Sequence, residues 1–301
     1  MTELHGVLVI DKPRGWTSHD VVAWVRRRLR QDRVGHGGTL DPAAEGVLVV
    51  AVGQATRLTR FLQLATKEYL AHIVLGAASS TDDLEGALLR PVRQSVPPGA
   101  REVEAALHRF EGEIEQVPPR FSAIKLGGTP LYRRARAGEP TETRPRRVVV
   151  YRLELLSYAY PDILVSIVCG TGVYIRSLAR DLGTLLGTAA YLHGLVRTRV
   201  GSFHLSTAWS IEALERRLSL ETWAHLALHP DAILADSPVL LLSAEQSRAW
   251  YHGVPVRDAG TSADQRLARI YSRAGNWLGL AGYQAVRHAW MPVVVISDRI
   301  D

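Results

Sequence analysis

Several residue types and patterns are scarce in this sequence, and each scarcity argues against a class of protein. The single cysteine, Cys169, excludes an internal disulfide and a metal site built from cysteines. No apolar run approaches the roughly 18 residues that a membrane-spanning helix requires. The first residues also lack the basic and then apolar layout of a signal peptide. We therefore expect a soluble, cytoplasmic protein.

Lysine is also scarce. It occurs three times among 36 basic residues, at Lys12, Lys67 and Lys125, and all the others are arginine. The planar guanidinium of arginine suits phosphate groups and the edges of bases. We hypothesise that a chain with so much arginine keeps lysine where a compact ammonium group is needed.

The overall composition is that of a globular protein with a basic surface. The chain has 301 residues, of which 47% are hydrophobic and 22% charged, and this is enough for one large domain and a small one. A formal charge of +6 favours a polyanionic partner such as a nucleic acid. The same charge is also found in basic proteins that bind no nucleic acid. Sequence motifs are therefore needed to distinguish the two classes.

The first fifty residues predict two buried strands around a helix. The apolar runs Gly6–Asp11 and Val47–Val52 are rich in β-branched residues, which is typical of buried strands. Thr17 and Asp20 have the spacing of a capping box, and apolar residues then recur at helical spacing to Leu29. The other face of this helix carries Arg26, Arg27, Arg28 and Arg30. That basic face is either a binding surface or simply a solvated one.

The rest of the chain predicts a mixture of strands and helices, followed by a small β domain. We expect strands at Leu70–Leu75, Val148–Leu156 and Ile163–Cys169, and helices at Val103–Phe110, Tyr174–Leu186 and Thr207–Leu228. A linker at Asp231–Pro238 should precede strands at Val254–Val256, Leu267–Tyr271, Trp277–Ala281 and Val293–Ile296. This pattern predicts a large domain over residues 1–237 and a small β-rich domain over residues 238–301.

One long segment is unusually basic. Residues 117–147 include two acidic residues, Glu139 and Glu142, and several glycines and prolines. The eight basic residues in this segment are Arg120, Lys125, Arg133, Arg134, Arg136, Arg144, Arg146 and Arg147. Such a segment is more often a binding loop or a mobile element than part of a core.

The most informative stretch is the glycine-rich segment Val34–Pro42, which carries the carboxylate of Asp41. Asp41 is either a functional carboxylate or the N-cap of a helix that begins at Pro42. His36 is either a functional group or a hydrogen-bonded loop histidine. We find no zinc-binding H-E-x-x-H, phosphate-binding P-loop or complete dinucleotide-binding glycine motif. The residues alone therefore leave the chemistry open.

The sequence motifs indicate a function through their resemblance to a known family. The chain resembles the TruB-type tRNA pseudouridine-55 synthases in five motifs that occur in the family's order between residues 6 and 183. These motifs are GVLVIDKPRGWTSHDVV at 6–22, GHGGTLDPAAEGVL at 35–48, KEYLAHIVLG at 67–76, PPRFSAIKLGGTPLYRRARAG at 118–138 and GTGVYIRSLARDLG at 170–183. Each of the three lysines falls within one of them.

The resemblance implies roles for individual residues. Asp41 matches the catalytic aspartate, Tyr69 the active-site tyrosine, and Arg176 the arginine that pairs with the aspartate. The residues implied in RNA binding are His36, Tyr174, Leu195, Lys12, Arg120, Lys125 and Arg133. Residues 117–147 match a segment that closes on RNA like a thumb. There are two departures: Glu45 stands where the family usually has threonine, and SSTDDLEG at 79–86 matches the family pattern only in part, so no role is carried over there.

The resemblance also implies a fold and a reaction. We expect an α+β protein with a mixed, largely antiparallel sheet flanked by helices, followed by a small PUA-like β domain. The expected reaction converts the T-loop uridine at position 55 of tRNA to pseudouridine without a cofactor or a metal, in a monomer that needs no partner protein. Two alternatives stay open: a tRNA-folding chaperone that uses the same groove, and a guide-RNA-dependent pseudouridine synthase.

Overall fold

A computed structural model of the chain describes residues 4–89, 96–122, 125–126, 129–130, 137, 139, 143–257 and 266–296, with backbone only at 125–126 and 129–130. In chain order the strands are β1 Gly6–Lys12, β2 Val34–His36, β3 Glu45–Val52, β4 Lys67–Leu75, β5 Gly112–Gln116, β6 Lys125–Leu126, β7 Thr129–Pro130, β8 Arg146–Ala159, β9 Asp162–Cys169, β10 Ala190–Val200, β11 Phe203–His204, β12 Trp209–Ser210, β13 Val239–Leu242, β14 Val256–Arg257, β15 Leu267–Ser272, β16 Trp277–Gln284 and β17 Ala289–Val295. The helices are α1 Ser18–Leu29, α2 Thr59–Leu64, α3 Ala100–His108, α4 Ile175–Leu185, α5 Ile211–Arg217, α6 Trp223–Leu226 and α7 Ala244–Tyr251. Among the described helices, none has the length and hydrophobicity needed to cross a lipid bilayer.

The large sheet is mixed but mainly antiparallel, as predicted. Its main path runs β12-β1-β3-β10-β4-β9-β8-β5, and two contacts in this path are parallel, β1 with β12 and β3 with β10. The predicted strands β1 and β3 are confirmed, and their apolar runs are continuous because both faces of this part of the sheet are covered. Leu8 and Ile10 pack with α1 on one face, while Val7 and Val9 pack in a second cluster on the other.

Helix α1 begins with the predicted capping box. The Thr17 hydroxyl accepts a hydrogen bond from the Asp20 amide at 3.0 Å, and the Asp20 carboxylate accepts one from the Thr17 amide at 2.8 Å. Val21, Val25 and Leu29 are completely buried along one face, so α1 is held by the sheet. The helix therefore has a fixed start beside the 37–44 loop.

The parallel contact between β3 and β10 decides which side chains meet at the centre of the sheet. Arg197 of β10 pairs with Gly46 on β3 and with Tyr69 on β4. Gly46 has φ +100°, and a Cβ atom there would lie 2.3 Å from the Arg197 carbonyl oxygen. Only glycine therefore allows β10 to approach so closely, because any side chain would collide with the neighbouring backbone. This crossing brings the loop before β3 against β4 and β10.

The C-terminal sheet has the order β13-β15-β16-β17-β14 and its own core around Trp250 and Trp290. It also packs on the large domain, where Leu58 and Phe61 join a cluster with Trp277. The Arg57 guanidinium donates to the Val295 carbonyl oxygen at 2.6 Å across this boundary. The small β domain is thus in direct contact with the helical segment that follows β3.

Some element predictions were wrong. Residues 207–228 do not form one helix: β12 and the two short helices α5 and α6 occupy this stretch. The break has a local cause, because the Thr222 hydroxyl accepts from the Ser219 amide at 2.9 Å and donates to the Arg217 carbonyl oxygen at 2.5 Å. Side chains that bond the backbone in this way compete with helical hydrogen bonds. The predicted linker also contains a buried residue, Asp231.

Candidate active site

A cleft of about 380 Å³ opens beside the crossing of β3 and β10. It is lined by His36, Gly38, Thr39, Leu40, Asp41, Gln63, Lys67, Tyr69, Ser122, Gly170, Thr171, Gly172, Val173, Tyr174, Ile175, Arg176, Leu195 and Arg197. Six of the residues to which the resemblance gives a role line this cleft: the three expected to be catalytic and His36, Tyr174 and Leu195. Residues far apart in the chain thus meet around one space of the size that holds a small molecule or a single nucleotide base.

Asp41 and Arg176 form an ion pair at this cleft. Arg176 Nε lies 2.9 Å from Asp41 Oδ2, and the arginine side chain is 6% exposed whereas the aspartate is 40% exposed. The alternative that Asp41 caps a helix is excluded, because residues 42–44 form a turn and then enter β3. The carboxylate is therefore accessible from the cleft, and a buried cation fixes its orientation.

The remaining nitrogens of Arg176 are also occupied. Nη1 lies 3.5 Å from Asp83 Oδ2, and Nη2 donates to the Phe121 carbonyl oxygen at 3.0 Å. Asp83 is buried and is itself held by the Thr81 hydroxyl at 2.5 Å and the Glu85 amide at 3.0 Å. The Arg176 guanidinium therefore joins the loop that carries Asp41, the turn at residues 81–85 and the start of the basic segment.

The electrostatics of Asp41 are set by opposing effects. Burial in the cleft raises the pKa of the Asp41 carboxyl, Arg176 opposes this rise, and the nearby Asp83 adds to it. The net result is that the pKa of the Asp41 carboxyl lies above the usual range for aspartate. The carboxylate is therefore less stabilised by water than an exposed one, and this favours reactivity once the group is ionised.

Two side chains hold the peptide groups on either side of Asp41. The Ser18 hydroxyl, at the start of α1, donates to the Leu40 carbonyl oxygen at 3.0 Å and accepts from the Leu40 amide at 2.8 Å. The Lys12 ammonium donates to the Trp16 carbonyl oxygen at 2.7 Å and lies 3.4 Å from that of Pro42. Residues 12–18 thus hold Leu40 and Pro42, the residues on either side of Asp41.

Lys12 has no exposed surface, so its expected contact with RNA is not supported by its surroundings. Burial lowers the pKa of Lys12 to about 8. Lys67 is similarly buried and donates to the carbonyl oxygens of Gln63 and Ala65, and its pKa is also lowered by burial to about 8. Both lysines are compact buried donors to the backbone, which agrees with the hypothesis drawn from their scarcity.

The walls of the cleft are aromatic and apolar. Tyr69 on β4 is 9% exposed, and burial raises the pKa of its phenol, which stays protonated near neutral pH. Leu195 comes from the neighbouring strand β10. Tyr174 lies just before α4, where its amide donates to the Gln116 side chain at 2.8 Å and its carbonyl oxygen accepts from the same side chain at 3.1 Å. These side chains can stack on a planar base or pack against it.

His36 lies at the edge of the cleft. Its Nδ1 accepts a hydrogen bond from the Gly38 amide at 3.3 Å, so the proton of the neutral ring is on Nε2. Burial lowers the pKa of His36, which favours this neutral form. His36 is therefore a hydrogen-bond donor to any group that enters from this side.

The other expected contact residues are not part of the cleft wall. Arg120 is exposed and does not line the cleft, and the structure gives only the backbone of Lys125, in the β6–β7 hairpin. Arg133 lies outside the described residues. Among the residues that the structure does describe, no cluster of three histidine, cysteine or acidic side chains forms a metal site.

Two residues of the site, Asp83 and Arg197, were not predicted from the sequence. Arg197 is 2% exposed and donates to the carbonyl oxygens of Val47 at 2.8 Å, Gly38 at 3.0 Å and Thr39 at 3.3 Å. A charged residue within an apolar stretch was the one available signal for Arg197. Asp83 had none beyond its place in a turn rich in serine, threonine and aspartate.

The comparisons with known proteins agree with this fold. A solved structure of a Cbf5-Nop10-Gar1 complex contains a chain that is 27% identical, with a TM-score of 0.72, 97% of this chain covered and 84% of that one. An H/ACA RNP bound to a substrate RNA containing 2'-deoxyuridine gives 26% identity and a TM-score of 0.70, with 98% of this chain and 84% of that one covered.

Fold and site together define a pseudouridine synthase. The model of the N-terminal domain of the TruB family pseudouridylate synthases matches residues 26–175, and that of the C-terminal domain of pseudouridine synthase II TruB matches residues 238–286. The chain belongs to the TruB family, since it is 42% identical to the tRNA pseudouridine synthase B of Thermobifida fusca over 97% of its own length and 98% of that protein. The protein of the same name from Synechocystis is 46% identical over 83% of this chain and 84% of its own.

Proposed function

We propose that this protein isomerises the uridine at position 55 in the T arm of tRNA to pseudouridine, with Asp41 as the catalytic carboxylate. The observation that carries the assignment is the Asp41–Arg176 ion pair, 2.9 Å long, on the wall of a cleft with aromatic sides. Relatives that match nearly the whole chain are named tRNA pseudouridine synthase B.

The reaction breaks the C1′–N1 glycosidic bond of uridine, rotates the detached uracil and forms a C1′–C5 bond. The C5 proton is then lost and N1 regains a proton, so atoms and electrons balance without an oxidant or a reductant. Since the reaction is an isomerisation, we propose that it needs no cofactor and no metal. What it needs is an ionised carboxylate and a cleft that retains the free uracil.

The residues of the cleft supply these requirements. Asp41 either attacks C1′, adds to uracil C6, or promotes a glycal intermediate. Arg176 orients the carboxylate and stabilises its charge. Tyr69 and Leu195 hold the flipped base by stacking and apolar contact. Because burial raises the pKa of the Tyr69 phenol, the protonated group can donate a hydrogen bond as well as stack on the base.

We further propose how the parts of the molecule share the work. Residues 1–237 form the catalytic domain and 238–301 the PUA-like domain, as supported by the separate sheets that end at Ser210 and begin at Val239. Residues 117–147 form the thumb that grips RNA, with Arg120, Lys125 and Arg133 among its contacts, and His36 and Tyr174 contact RNA in the cleft. We propose a cytoplasmic monomer.

The experiment separates this function from the two alternatives. The purified chain alone is incubated with an unmodified tRNA transcript labelled with tritium at uracil C5, and with a matched transcript in which uridine 55 is replaced by cytidine. We expect release of one equivalent of tritium from the first transcript and none from the second. A requirement for guide RNA or partner proteins would support the guide-dependent alternative, and refolding of tRNA without release would support the chaperone.

A further inference from the structure

Arginines concentrate where the C-terminal ends of two helices meet, away from the cleft. The last turn of α1 and the residue after it carry Arg27, Arg28 and Arg30, and the last turn of α5 carries Arg216 and Arg217. All five are exposed. We name this set the helix-end arginine patch.

Direct contacts make the patch one continuous surface. The Arg28 guanidinium donates to the carbonyl oxygens of Glu215 at 2.6 Å and Leu218 at 2.8 Å, so the end of α1 is tied to the end of α5. The Arg217 guanidinium lies 5.5 Å from the centre of the Trp209 ring. Arg28 and Arg217 thus have structural partners that fix where the patch lies.

The exposed positions of Arg27, Arg30 and Arg216 are not explained by structural partners of this kind. Within the described part of the chain, Arg27 and Arg30 form no ion pair with a carboxylate, and Arg216 contacts the Glu212 carbonyl oxygen in its own helix at 3.3 Å. A cation at a helix C-terminus stabilises the helix dipole, but that requires only one or two charges. Further arginines repel one another in the free protein.

The local charge is positive. Within residues 26–33 and 211–217 the exposed carboxylates are Asp32, Glu212 and Glu215, against the five guanidinium groups of the patch. An excess of clustered arginine over acidic neighbours produces a positive potential that attracts a polyanion. Arginine is also suited to phosphate, because its planar fork donates two parallel hydrogen bonds.

Helix α1 connects the patch to the cleft. α1 starts at Ser18, which bonds Leu40 next to the catalytic carboxylate, and it runs for 12 residues to the patch. At 1.5 Å per residue the patch is about 18 Å along the helix from the active site. A folded tRNA with one base in the cleft extends well beyond that distance.

We infer that the helix-end arginine patch binds the phosphate backbone of the tRNA substrate at a second site outside the cleft. This inference rests on the proposed function. The contact is electrostatic and reads no base, because the members of the patch are arginines directed to phosphate. Its role is affinity and orientation of the RNA, not chemistry at the uridine.

The test uses the full chain with Arg27→Gln, Arg30→Gln and Arg216→Gln combined. A matched control removes three exposed arginines elsewhere, Arg101→Gln, Arg248→Gln and Arg273→Gln, and so changes the net charge equally. Binding of an unmodified tRNA transcript is measured at several salt concentrations. The single-turnover rate of tritium release is measured at saturating enzyme.

We expect the patch variant to bind tRNA about tenfold more weakly than the wild type. The slope of log Kd plotted against log salt concentration should fall by about three. Its saturated single-turnover rate should equal that of the wild type, and the control should keep wild-type affinity. Wild-type affinity and slope in the patch variant would overturn the inference, as would an equal loss in the control. Failure of the proposed function is distinguishable, because the wild type would then release no tritium.

Discussion

At the scale of single residues, the site depends on one guanidinium shared by two carboxylates. Arg176 contacts Asp41 at 2.9 Å and Asp83 at 3.5 Å, and it is almost completely buried. Asp83 is buried and is also held by Thr81 and Glu85, whereas Asp41 is open to the cleft. We interpret Asp83 as a positioning residue that holds Arg176 against the reactive carboxylate.

The variant Asp83→Asn should lower the single-turnover rate on the order of 100-fold, since small displacements of a catalytic group have effects of that size. Binding of tRNA should change little, so the loss should be in the rate at saturation. Asp82→Asn is the matched control, because Asp82 pairs with Arg180 at 3.0 Å and its φ of 62° suits asparagine. Equal losses in both variants would contradict the positioning role of Asp83.

The dependence of activity on pH follows from the opposing effects on Asp41. Burial raises the pKa of the carboxyl and Arg176 lowers it. Activity that needs the ionised form should therefore be lost as the pH falls through this raised pKa. In Arg176→Ala the acid limb of the single-turnover pH profile should move to higher pH, because the main effect that lowers the pKa is gone. An acid limb that stays in place would show that Arg176 does not control this ionisation.

At the scale of structural elements, strong local patterns were predictable and long-range pairings were not. β1, β3 and α1 follow from apolar runs and a capping box, and their positions agree with the structure. Strand β10 was missed, since Ala190–Val200 contains a glycine at its centre and two arginines near its end. Its strand structure depends on pairing with β4, on contact with β3 and on the absence of a side chain at Gly46. No local sequence signal carries that information.

The candidate site shows the same division. Asp41, Tyr69 and Arg176 were identified through the motifs and not through spacing, and their meeting at one cleft is a result of the fold. Arg197 and Asp83 were missed because a buried charge cannot be recognised without its partners. Their importance depends on carbonyl groups and a guanidinium that are distant in the sequence.

The basic segment, residues 117–147, is tied at its start to Arg176. Phe121 accepts from Arg176, and Val117 accepts from Ser177 at 2.9 Å and from Arg180 at 3.0 Å. A deletion that removes Phe121 would therefore disturb Arg176 as well as RNA binding. Substitutions farther along the segment avoid this problem.

Changing Arg133, Arg134 and Arg136 to glutamine should weaken tRNA binding about tenfold and reduce its salt dependence, because three phosphate-directed charges are lost. These positions lie outside the described residues. The single-turnover rate at saturating enzyme should remain near that of the wild type. Unchanged affinity, measured by filter binding or fluorescence, would refute the thumb assignment.

At the scale of the whole molecule, a polar cluster joins the two domains. Asp231 accepts from His229 at 2.6 Å, from Arg269 at 3.0 Å and from Tyr271 at 2.5 Å. Burial by itself would raise the pKa of Asp231, but the hydrogen bonds from His229 and Tyr271 outweigh it and lower the pKa to about 2. The position expected to be a linker is thus a fixed contact.

Because its folded-state pKa is depressed, Asp231 should contribute stability that is fully present above about pH 4 and lost as the pH falls through about 2. Replacement by asparagine should lower the free energy of unfolding by about 2 kcal/mol at neutral pH. Urea denaturation of the full chain measures this loss, with the exposed Asp32→Asn as the control. Equal stability of the two variants would contradict the proposed interdomain contact.

We propose above all that the Asp41 carboxylate converts uridine 55 of tRNA to pseudouridine. The most direct test measures tritium release from a C5-labelled, unmodified tRNA transcript by the wild type and by Asp41→Asn, with EDTA present. We predict one equivalent per tRNA from the wild type and none from the variant, which should still bind tRNA. Release by both proteins, or by neither while tRNA binding is retained, would contradict the account.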